Sequence, residues 1–258
     1  MTEPHTHSGW HGRMYETFAA AFAAGATSVE GGRVLEPVGI FAAVNPQIPE
    51  RSVFNSVLYE SHDALAAALE GLAAAYEEAG VRAWTVWVPE SDRDSARLLE
   101  KAGHHLDATP SAMLLDLDAM PEPDLGDFDW DDEATVEEVC SVNDRAYGYE
   151  PGTFARGIGS QPGDVMRFYR ARLDGRTAAV VGTIDLDGDC GVYWVATLPE
   201  ARGRGLTSRL MHIALEEGRE RGCDISTLQA TKLGRPVYEA LGYRDIGTLE
   251  MWERRRPG

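Results

Sequence analysis

The chain has 258 residues, with 42 acidic and 24 basic side chains and a formal net charge of −18. This charge argues against general nucleic-acid binding, which needs a basic surface, and no apolar run approaches the roughly 20 residues of a membrane span. The three cysteines are widely spaced and the N-terminus lacks an apolar signal segment, so we expect a cytoplasmic, bacterial-type protein without a disulfide framework.

The first half of the chain alternates helical and strand-like patterns. Leu65, Leu69 and Leu72 share one face of an expected helix. In chain order the patterns predict a helix that ends before Gly80, a strand at 81–88, a short helix from about Ala96 to Gly103 and a closing strand at 113–117.

An acidic segment separates the two halves. Residues 121–133 contain seven acidic side chains, no basic one and two prolines, which is typical of a linker. We therefore expect one unit at 1–120, a linker at 121–133 and a second unit at 134–258.

The second half contains a glycine-rich turn between a strand and a helix. An apolar run at 192–195 stops at Pro199, the sequence 202–205 reads Arg-Gly-Arg-Gly, and a helical pattern begins at Leu206. Glycines let the backbone approach a ligand closely, and a helix N-terminus offers unpaired N–H groups to a phosphate. This turn predicts a site for a phosphorylated cofactor, although a tight turn alone would also explain it.

Further elements follow the glycine-rich turn. A short buried strand is expected at 224–230, a short helix at 234–243 that ends at Gly242, and a last strand at 246–252. The order is strand, glycine turn, helix, strand, short helix and strand.

These motifs resemble the GNAT superfamily of acyl-CoA-dependent N-acetyltransferases over about residues 130–254. The family pattern Arg/Gln-x-x-Gly-x-Gly/Ala is similar to the sequence 202–207, although Thr207 departs from it at the last position. The sequence 237–243, Val-Tyr-Glu-Ala-Leu-Gly-Tyr, resembles the late family signature Leu-Tyr-Glu-x-x-Gly-Phe. The resemblance implies acetyl-CoA as cosubstrate, direct transfer of the acetyl group to an amine, and no metal.

The resemblance also implies which residues bind the cofactor. The pyrophosphate would lie on the backbone amides of the glycine turn, and the pantetheine would pair with the backbone of the preceding strand, where an N–H group could also stabilise the oxyanion. The implied cofactor residues are Val195, Ala196, Thr197, Arg202, Gly203, Arg204, Gly205, Leu206, Thr207, Thr231 and Tyr238.

Two catalytic roles follow from the same resemblance. Tyr238 matches the tyrosine that protonates the departing thiolate, although a core aromatic on a helix would fit as well. Asp189 stands near the place where many relatives carry a glutamate base, next to a probable turn at Asp187-Gly188. Asp185, Glu150 and a chain of waters are alternatives for the base.

An aromatic, glycine-containing segment at 143–160 falls where the family contacts the acceptor. We expect a mobile loop here, although an ordinary surface loop with buried aromatics is an alternative. The expected acceptor-binding residues are Asn143, Tyr147, Tyr149, Phe154 and Trp194.

The two halves show the same order of patterns, which predicts a tandem duplication. In the first copy, Tyr59-Glu60-Ser61-His62-Asp63 replaces the glycine turn and Leu99 stands in the place of Tyr238. Acidic side chains before the helix would repel a pyrophosphate, so we expect a degenerate, structural first copy.

The sequence thus predicts an α/β protein of two GNAT-like units, each a mixed, mainly antiparallel twisted sheet flanked by helices. The expected function is acetyl-CoA-dependent N-acetylation of a primary amine on a small molecule, by a monomer or homodimer that binds neither nucleic acid nor membrane. A protein or peptide N-acetyltransferase and a non-catalytic acyl-CoA-binding regulatory module are the alternatives.

Overall fold

A computed structural model describes residues 10–123, 125–159 and 165–256. Asp124 of the expected linker and Ser160 of the expected acceptor segment lie outside the described residues. In the first half the elements are α1 (Trp10–Thr27), β1 (Arg33–Leu35), β2 (Ile40–Val44), β3 (Ser56–Tyr59), α2 (His62–Glu78), β4 (Ala83–Pro89), α3 (Arg93–Lys101), β5 (His105–Ala108) and β6 (Ser111–Asp116).

The second half follows a similar order. Its elements are β7 (Trp130–Asp131), α4 (Val136–Tyr147), α5 (Thr153–Ile158), β8 (Met166–Leu173), β9 (Arg176–Leu186), β10 (Asp189–Thr197), α6 (Leu206–Glu220), β11 (Ile225–Ala230), α7 (Arg235–Ala240) and β12 (Arg244–Arg255). Short 3₁₀ turns lie at Ser52–Phe54, Leu117–Ala119 and Pro199–Ala201. The mixed α/β sheet flanked by helices that the sequence predicted is confirmed.

One continuous mixed sheet joins the halves. Its strand order is β1-β2-β3-β4-β12-β6-β11-β10-β9-β8-β7, with β5 paired to β12 beside this path. In each half three antiparallel strands are followed by a helix and by one parallel neighbour, which is β4 beside β3 and β11 beside β10.

The last strand of each half crosses into the other half. The six residues of β6 pair antiparallel with β11, and residues 249–255 of β12 pair antiparallel with β4. The first part of β12 pairs with β6, so the two crossing strands lie side by side at the centre of the sheet. Met113 and Leu115 of β6 are accordingly buried in the same apolar core as the strands and helix of the second half.

The expected linker contains a short edge strand. Trp130–Asp131 forms β7 against β8, and Arg170 and Arg172 of β8 form ion pairs with Asp131. Arg172 also pairs with Asp129. The acidic side chains of this segment therefore have a structural use, because they hold the chain against the sheet edge.

The N-terminal helix α1 was not expected from the sequence. It lies against the second half, where Thr17 bonds Asp189 and Tyr193, and Arg13 forms an ion pair with Asp224. Its apolar residues at 18, 21, 22, 25 and 26 follow the helical period. The first half therefore reaches the site of the second half through this helix.

Candidate functional site

The glycine turn leaves the start of α6 open. Gly203 and Gly205 have φ of +76° and +71°, the left-handed region that glycine adopts without strain. Gly205 is the N-cap residue and supplies no side-chain cap, and the first turn of α6 contains no acidic residue. The N–H groups there and the helix dipole are thus free to favour an anion.

Arg209 holds this turn in place. Its guanidinium donates hydrogen bonds of 3.0 Å to the carbonyl of Arg204 and 3.1 Å to the carbonyl of Leu125, and it lies 4.6 Å from the ring centre of Phe128. The sequence motifs did not indicate this residue, which follows Gly205 by one helical turn. Arg202 donates instead to the carbonyl of Ala146, at the end of α4.

β10 contains a β-bulge in its pairing with β9. Tyr193 pairs with Gly182 and Ala196 with Val180, so Trp194 and Val195 together face a single residue across the ladder. Trp194 has φ of +53°. Among the described residues, β10 and β11 pair in parallel at one position, Asp189 with Ile225. The two strands therefore pair at the start of β10 and part before the bulge, as expected for a strand with exposed backbone groups.

A cleft of about 650 Å³ opens between the parted strands. Its walls include the bulge of β10, the glycine turn and the residues of α7. Of the predicted cofactor residues, the cleft brings together Val195, Ala196, Thr197, Arg202, Gly203, Gly205, Leu206, Thr207, Thr231 and Tyr238. Arg204 is the predicted residue that does not line it.

Thr207 occupies the position that departs from the family pattern. Its hydroxyl forms a short hydrogen bond with the hydroxyl of Thr197, at the end of β10. The branched side chain is thus accommodated against the strand and ties the first turn of α6 to it.

Tyr238 lies half-buried on α7 and lines the cleft. Burial, and secondarily the neighbouring Tyr147, raise the pKa of its phenol above the ordinary value. The ring packs edge-on against Tyr243 at 5.9 Å between centres. A phenol in this position keeps its proton at neutral pH and can serve as a proton donor.

A second pocket of about 250 Å³ continues from the cleft. Both cavities share Phe18, Phe22, Val53, Tyr147, Tyr193 and Trp194. The structure brings all five predicted acceptor residues, Asn143, Tyr147, Tyr149, Phe154 and Trp194, to this second pocket, which we call the aromatic pocket.

The described part of the expected acceptor segment, 143–159, is mostly helical, with the end of α4 and all of α5 joined by a short turn. The carboxylate of Asp144 accepts hydrogen bonds from the backbone N–H groups of Gly152 and Phe154, at 2.7 and 2.8 Å. These bonds fix the turn between α4 and α5, and Gly148 ends α4 with φ of +69°. The expectation of a mobile loop missed this long-range use of Asp144.

The sequence motifs also did not indicate that residues of the first half line the aromatic pocket. The apolar face of α1 contributes Phe18, Ala21, Phe22, Gly25 and Ala26. Val53 and Phe54, which precede β3, close another side. The helical spacing of the α1 residues is a signal that could have indicated a buried face.

Asn143 connects the aromatic pocket to the bulge. It is fully buried, and its side-chain N–H group donates to the carbonyls of Val139 and Trp194 at 2.9 and 3.2 Å. Two carbonyl acceptors fix the orientation of the amide. Its oxygen, Oδ1, has no hydrogen-bond partner among the residues that the structure describes.

Asp189 lies away from both cavities. It is fully buried, and its Oδ2 accepts hydrogen bonds from the hydroxyls of Thr17 and Thr227. Burial raises the pKa of its carboxyl to about 6. The structure confirms the hairpin turn at Asp187-Gly188, but it does not bring Asp189 together with Tyr238.

The alternative bases also lie outside the two cavities. Asp185 forms an ion pair with Arg221, and Glu150 is exposed in the turn between α4 and α5. Neither lines the cleft or the aromatic pocket. Their assignment as the base therefore has no geometric support.

The corresponding helix start in the first half is already occupied. The hydroxyl of Ser61 accepts a hydrogen bond of 3.2 Å from the N–H of Ala64, and Asp63 lies in the first turn of α2. Leu99, in the place of Tyr238, is fully buried in the core of the first half. This end of α2 thus differs from the open start of α6 in both charge and capping.

Among the described residues, one group of side chains could together hold a metal ion, and it consists of His105, Asp107 and Glu253. Both oxygens of Glu253 already accept hydrogen bonds from Arg255. The group lies on β5 and β12, outside the two cavities. In the same described part of the chain, no helix is long and apolar enough to cross a membrane.

Comparison with family models identifies residues 133–246 with the acetyltransferase (GNAT) domain. A comparison with curated protein sequences finds no match.

Solved structures with the same fold include a GCN5-related N-acetyltransferase from Kribbella flavida, with a TM-score of 0.65, 18% identity and coverage of 93% of this chain and 95% of the other. A putative GNAT acetyltransferase from Novosphingobium aromaticivorans has a TM-score of 0.57 and 19% identity, with coverage of 95% and 99%. A tandem GNAT protein from the clavulanic acid biosynthesis pathway has a TM-score of 0.55 and 15% identity, with coverage of 95% and 96%.

Proposed function

Since the chain carries a GNAT acetyltransferase domain at residues 133–246, we propose that it is an N-acetyltransferase that uses acetyl-CoA to acetylate a primary amine on a small molecule. The observation that carries this proposal is the uncapped start of α6 at the head of the cleft. Because the first turn of α6 contains no acidic residue, its backbone N–H groups would offer a favourable site to a pyrophosphate.

The residues of the cleft suit direct transfer through a ternary complex. Acetyl-CoA would supply the activated acyl group. The backbone of Val195 and Thr197 would position the pantetheine arm, and an N–H group at the bulge would stabilise the oxyanion. Tyr238 would protonate the sulfur as the C–S bond breaks, since its phenol is protonated at neutral pH.

A small acceptor is favoured over a protein substrate by the walls of the aromatic pocket. Phe54, Phe154 and Ile158 are almost fully buried, and α1 covers another side. Tyr147, about half exposed, lies at the rim. A peptide chain would need a groove open at both ends, whereas this pocket is lined by elements of both halves.

We assign the first half a structural role and interpret the chain as two GNAT-like units with exchanged closing strands. The repeated strand pairing and the reciprocal crossing of β6 and β12 support this interpretation. Ser61 and Asp63 leave no open anion site at the start of α2. Through this pairing the first half completes the sheet of the second half, because β6 lies beside β11.

Asp189 is more consistent with a structural role than with that of a base. Its hydrogen bonds with Thr17 and Thr227 link α1 of the first half to β11 of the second. It could reach a bound amine only through other groups, since it lines neither cavity.

Thermal-shift measurements with acetyl-CoA, CoA and pantetheine test the proposal. We expect acetyl-CoA and CoA to raise Tm, while pantetheine, which lacks the pyrophosphate, has a much smaller effect at equal concentration. Release of free thiol in the presence of an amine panel then tests transfer. Absence of stabilisation by any acyl-CoA would overturn the proposed function.

A further inference from the structure

The two cavities contain little charge for so acidic a chain. Among the described residues that line them, Arg202 is the one charged side chain, and it lies at the glycine turn. No Asp, Glu, Lys or His belongs to the described lining of either cavity. The acidic side chains that give the chain its net charge of −18 therefore lie outside the described lining of both cavities.

The aromatic pocket is walled by rings and small residues. Its aromatic side chains are Phe18, Phe22, Phe54, Tyr147, Tyr149, Phe154, Tyr193 and Trp194. Ala21, Gly25 and Ala26 of α1 leave room between them. Flat apolar ligands pack favourably against such rings, so the pocket suits an aromatic body.

A protonated amine would meet the faces of aromatic rings in this pocket but no carboxylate among the described lining residues. Burying an ammonium group without a carboxylate partner costs several kcal/mol, and the same desolvation lowers the pKa of a bound amine. A polyamine or an aminoglycoside carries several such charges. The pocket offers none of them an ion pair.

Asn143 supplies the polar contact that an uncharged amine needs. Its Oδ1 is a buried acceptor without a partner, whereas its N–H group is already engaged by two carbonyls. Such an orphaned acceptor is costly unless a donor reaches it. Asn143 lines the aromatic pocket, but Oδ1 itself exposes less than 1 Å², so an acceptor N–H group would satisfy it after a small shift of the amide.

We propose that the acceptor is a weakly basic aromatic amine, which binds as the neutral base in the aromatic pocket with an N–H group directed at Oδ1 of Asn143. This proposal rests on the proposed acetyl transfer. An arylamine is unprotonated at neutral pH, so its lone pair is available without a general base. The absence of acid and imidazole groups from the described lining of both cavities is then understandable.

The reaction balances without a further reactant. The amine nitrogen forms a bond to the thioester carbonyl carbon, and the C–S bond breaks with its electron pair going to sulfur. Tyr238 gives its proton to sulfur, and the proton lost by nitrogen returns to the phenolate through water. The products are the N-aryl acetamide and free CoA.

The first test compares aniline-type amines with 2-phenylethylamine and spermidine, at pH 6 to 9. We expect kcat/KM at pH 7 to be at least about tenfold higher for the arylamines, with a flat pH profile, while the rate with 2-phenylethylamine rises by roughly tenfold per pH unit as it deprotonates. Preference for spermidine or 2-phenylethylamine at pH 7 would overturn the proposal and leave the proposed function intact. The same holds if acetyl-CoA stabilises the protein but no arylamine is acetylated.

A binding measurement supplies a readout independent of turnover. Titration of aniline-type amines should quench the fluorescence of Trp194, identified by its loss in Trp194→Phe. Ala21→Leu should fill the pocket and weaken this binding at least tenfold, with the Tm shift caused by acetyl-CoA unchanged. Ala23→Leu, on the same helix but outside the pocket lining, is the matched control. Equal binding to both variants would contradict the proposed location.

The Asn143→Leu variant tests the polar contact. It removes the acceptor, so we expect aniline to bind about tenfold more weakly, while N,N-dimethylaniline, which has no N–H group to donate, binds to both proteins alike. Unchanged selectivity in a folded variant that binds acetyl-CoA would argue against contact between Oδ1 and the amine.

Discussion

The side-chain amide of Asn143 donates a hydrogen bond of 3.2 Å to the backbone carbonyl of Trp194, the residue whose φ of +53° marks the bulge of β10. A bulky residue in the left-handed region is strained by about 1–2 kcal/mol. The contact with α4 helps to offset that strain. It also joins the lining of the aromatic pocket directly to β10, so a change in one is expected to affect the other.

The glycine turn should be intolerant of side chains. Gly205→Ala forces a Cβ into a conformation with φ of +71°, at a cost of about 1–2 kcal/mol, and disturbs the amides at the start of α6. We expect the apparent KM for acetyl-CoA to rise about tenfold with little change in kcat. Gly175→Ala, with φ of +72° in the β8–β9 hairpin, is the matched control, since it should lower stability alone. An equal KM for both variants would exclude a binding role for the turn.

Tyr238→Phe should separate chemistry from binding. Loss of the phenolic proton is expected to lower kcat by about 10²–10⁴-fold, while the KM for acetyl-CoA changes less than about threefold. Since the phenol's pKa is raised, its proton is present throughout the neutral range and the wild-type rate should not fall between pH 7 and 9. Steady-state kinetics with a thiol-release assay provide the measurement.

Tyr243→Phe is the control for this effect. Tyr243 is buried and its hydroxyl bonds that of Ser226 at 2.6 Å. Its loss should reduce stability by about 1 kcal/mol without a matching fall in kcat. Similar kcat losses in the two variants would point to packing in place of proton transfer.

Asp189 should confer a pH dependence on stability. Its pKa is about 6 in the folded protein and near 3.9 in an unfolded chain, so the folded state takes up a proton between these values as pH falls. The penalty of the buried carboxylate, up to about 3 kcal/mol, is therefore complete above pH 6 and disappears toward pH 4.

Asp189→Asn removes this titration. We expect its free energy of unfolding, relative to wild type, to be larger at pH 7.5 than at pH 4.5 by urea denaturation, with kcat largely retained. Loss of kcat in a folded Asp189→Asn variant would instead support the hypothesis that Asp189 is the general base.

The exchanged strands should make the two halves inseparable. Residues 134–258 alone lack β6 beside β11, and residues 1–133 lack β12 beside β4, so each piece exposes an unpaired strand edge. We expect each piece alone to aggregate and the coexpressed pieces to associate and bind acetyl-CoA.

A cleavage site inserted at Pro123 in the full-length chain is the control for the coexpressed halves, because both crossing strands then remain. Cleavage there should leave the two pieces associated. A soluble, monomeric 134–258 fragment that binds acetyl-CoA would contradict the exchange.

The parts of the site that the sequence predicted are those that depend on local chain geometry. Gly203 and Gly205 need positive φ in a turn that precedes a helix, and Tyr238 follows the turn at a spacing typical of the family. A sequence alone can therefore indicate the glycine turn and the helix that carries Tyr238, which line one cleft, whereas their roles in cofactor binding and proton transfer stay predictions.

The parts that it did not predict depend on distant contacts. The bulge at Trp194 is supported by Asn143, which lies 51 residues away in the chain. The aromatic pocket needs α1, which ends more than a hundred residues before Asn143, the first of the predicted acceptor residues. Asp189, beside a correctly predicted turn, is directed into the core by Thr17 and Thr227.

The central position of β12 determines when the sheet of the first half can be completed during translation. The strand that completes the sheet of the first half consists of residues 249–255, which follow every other described strand in the chain. Domains of multidomain chains commonly fold in order as they emerge, but here β4 has no partner on that side until residues 249–255 have been synthesised. A chain released before residue 249 would therefore leave the sheet of the first half open at β4.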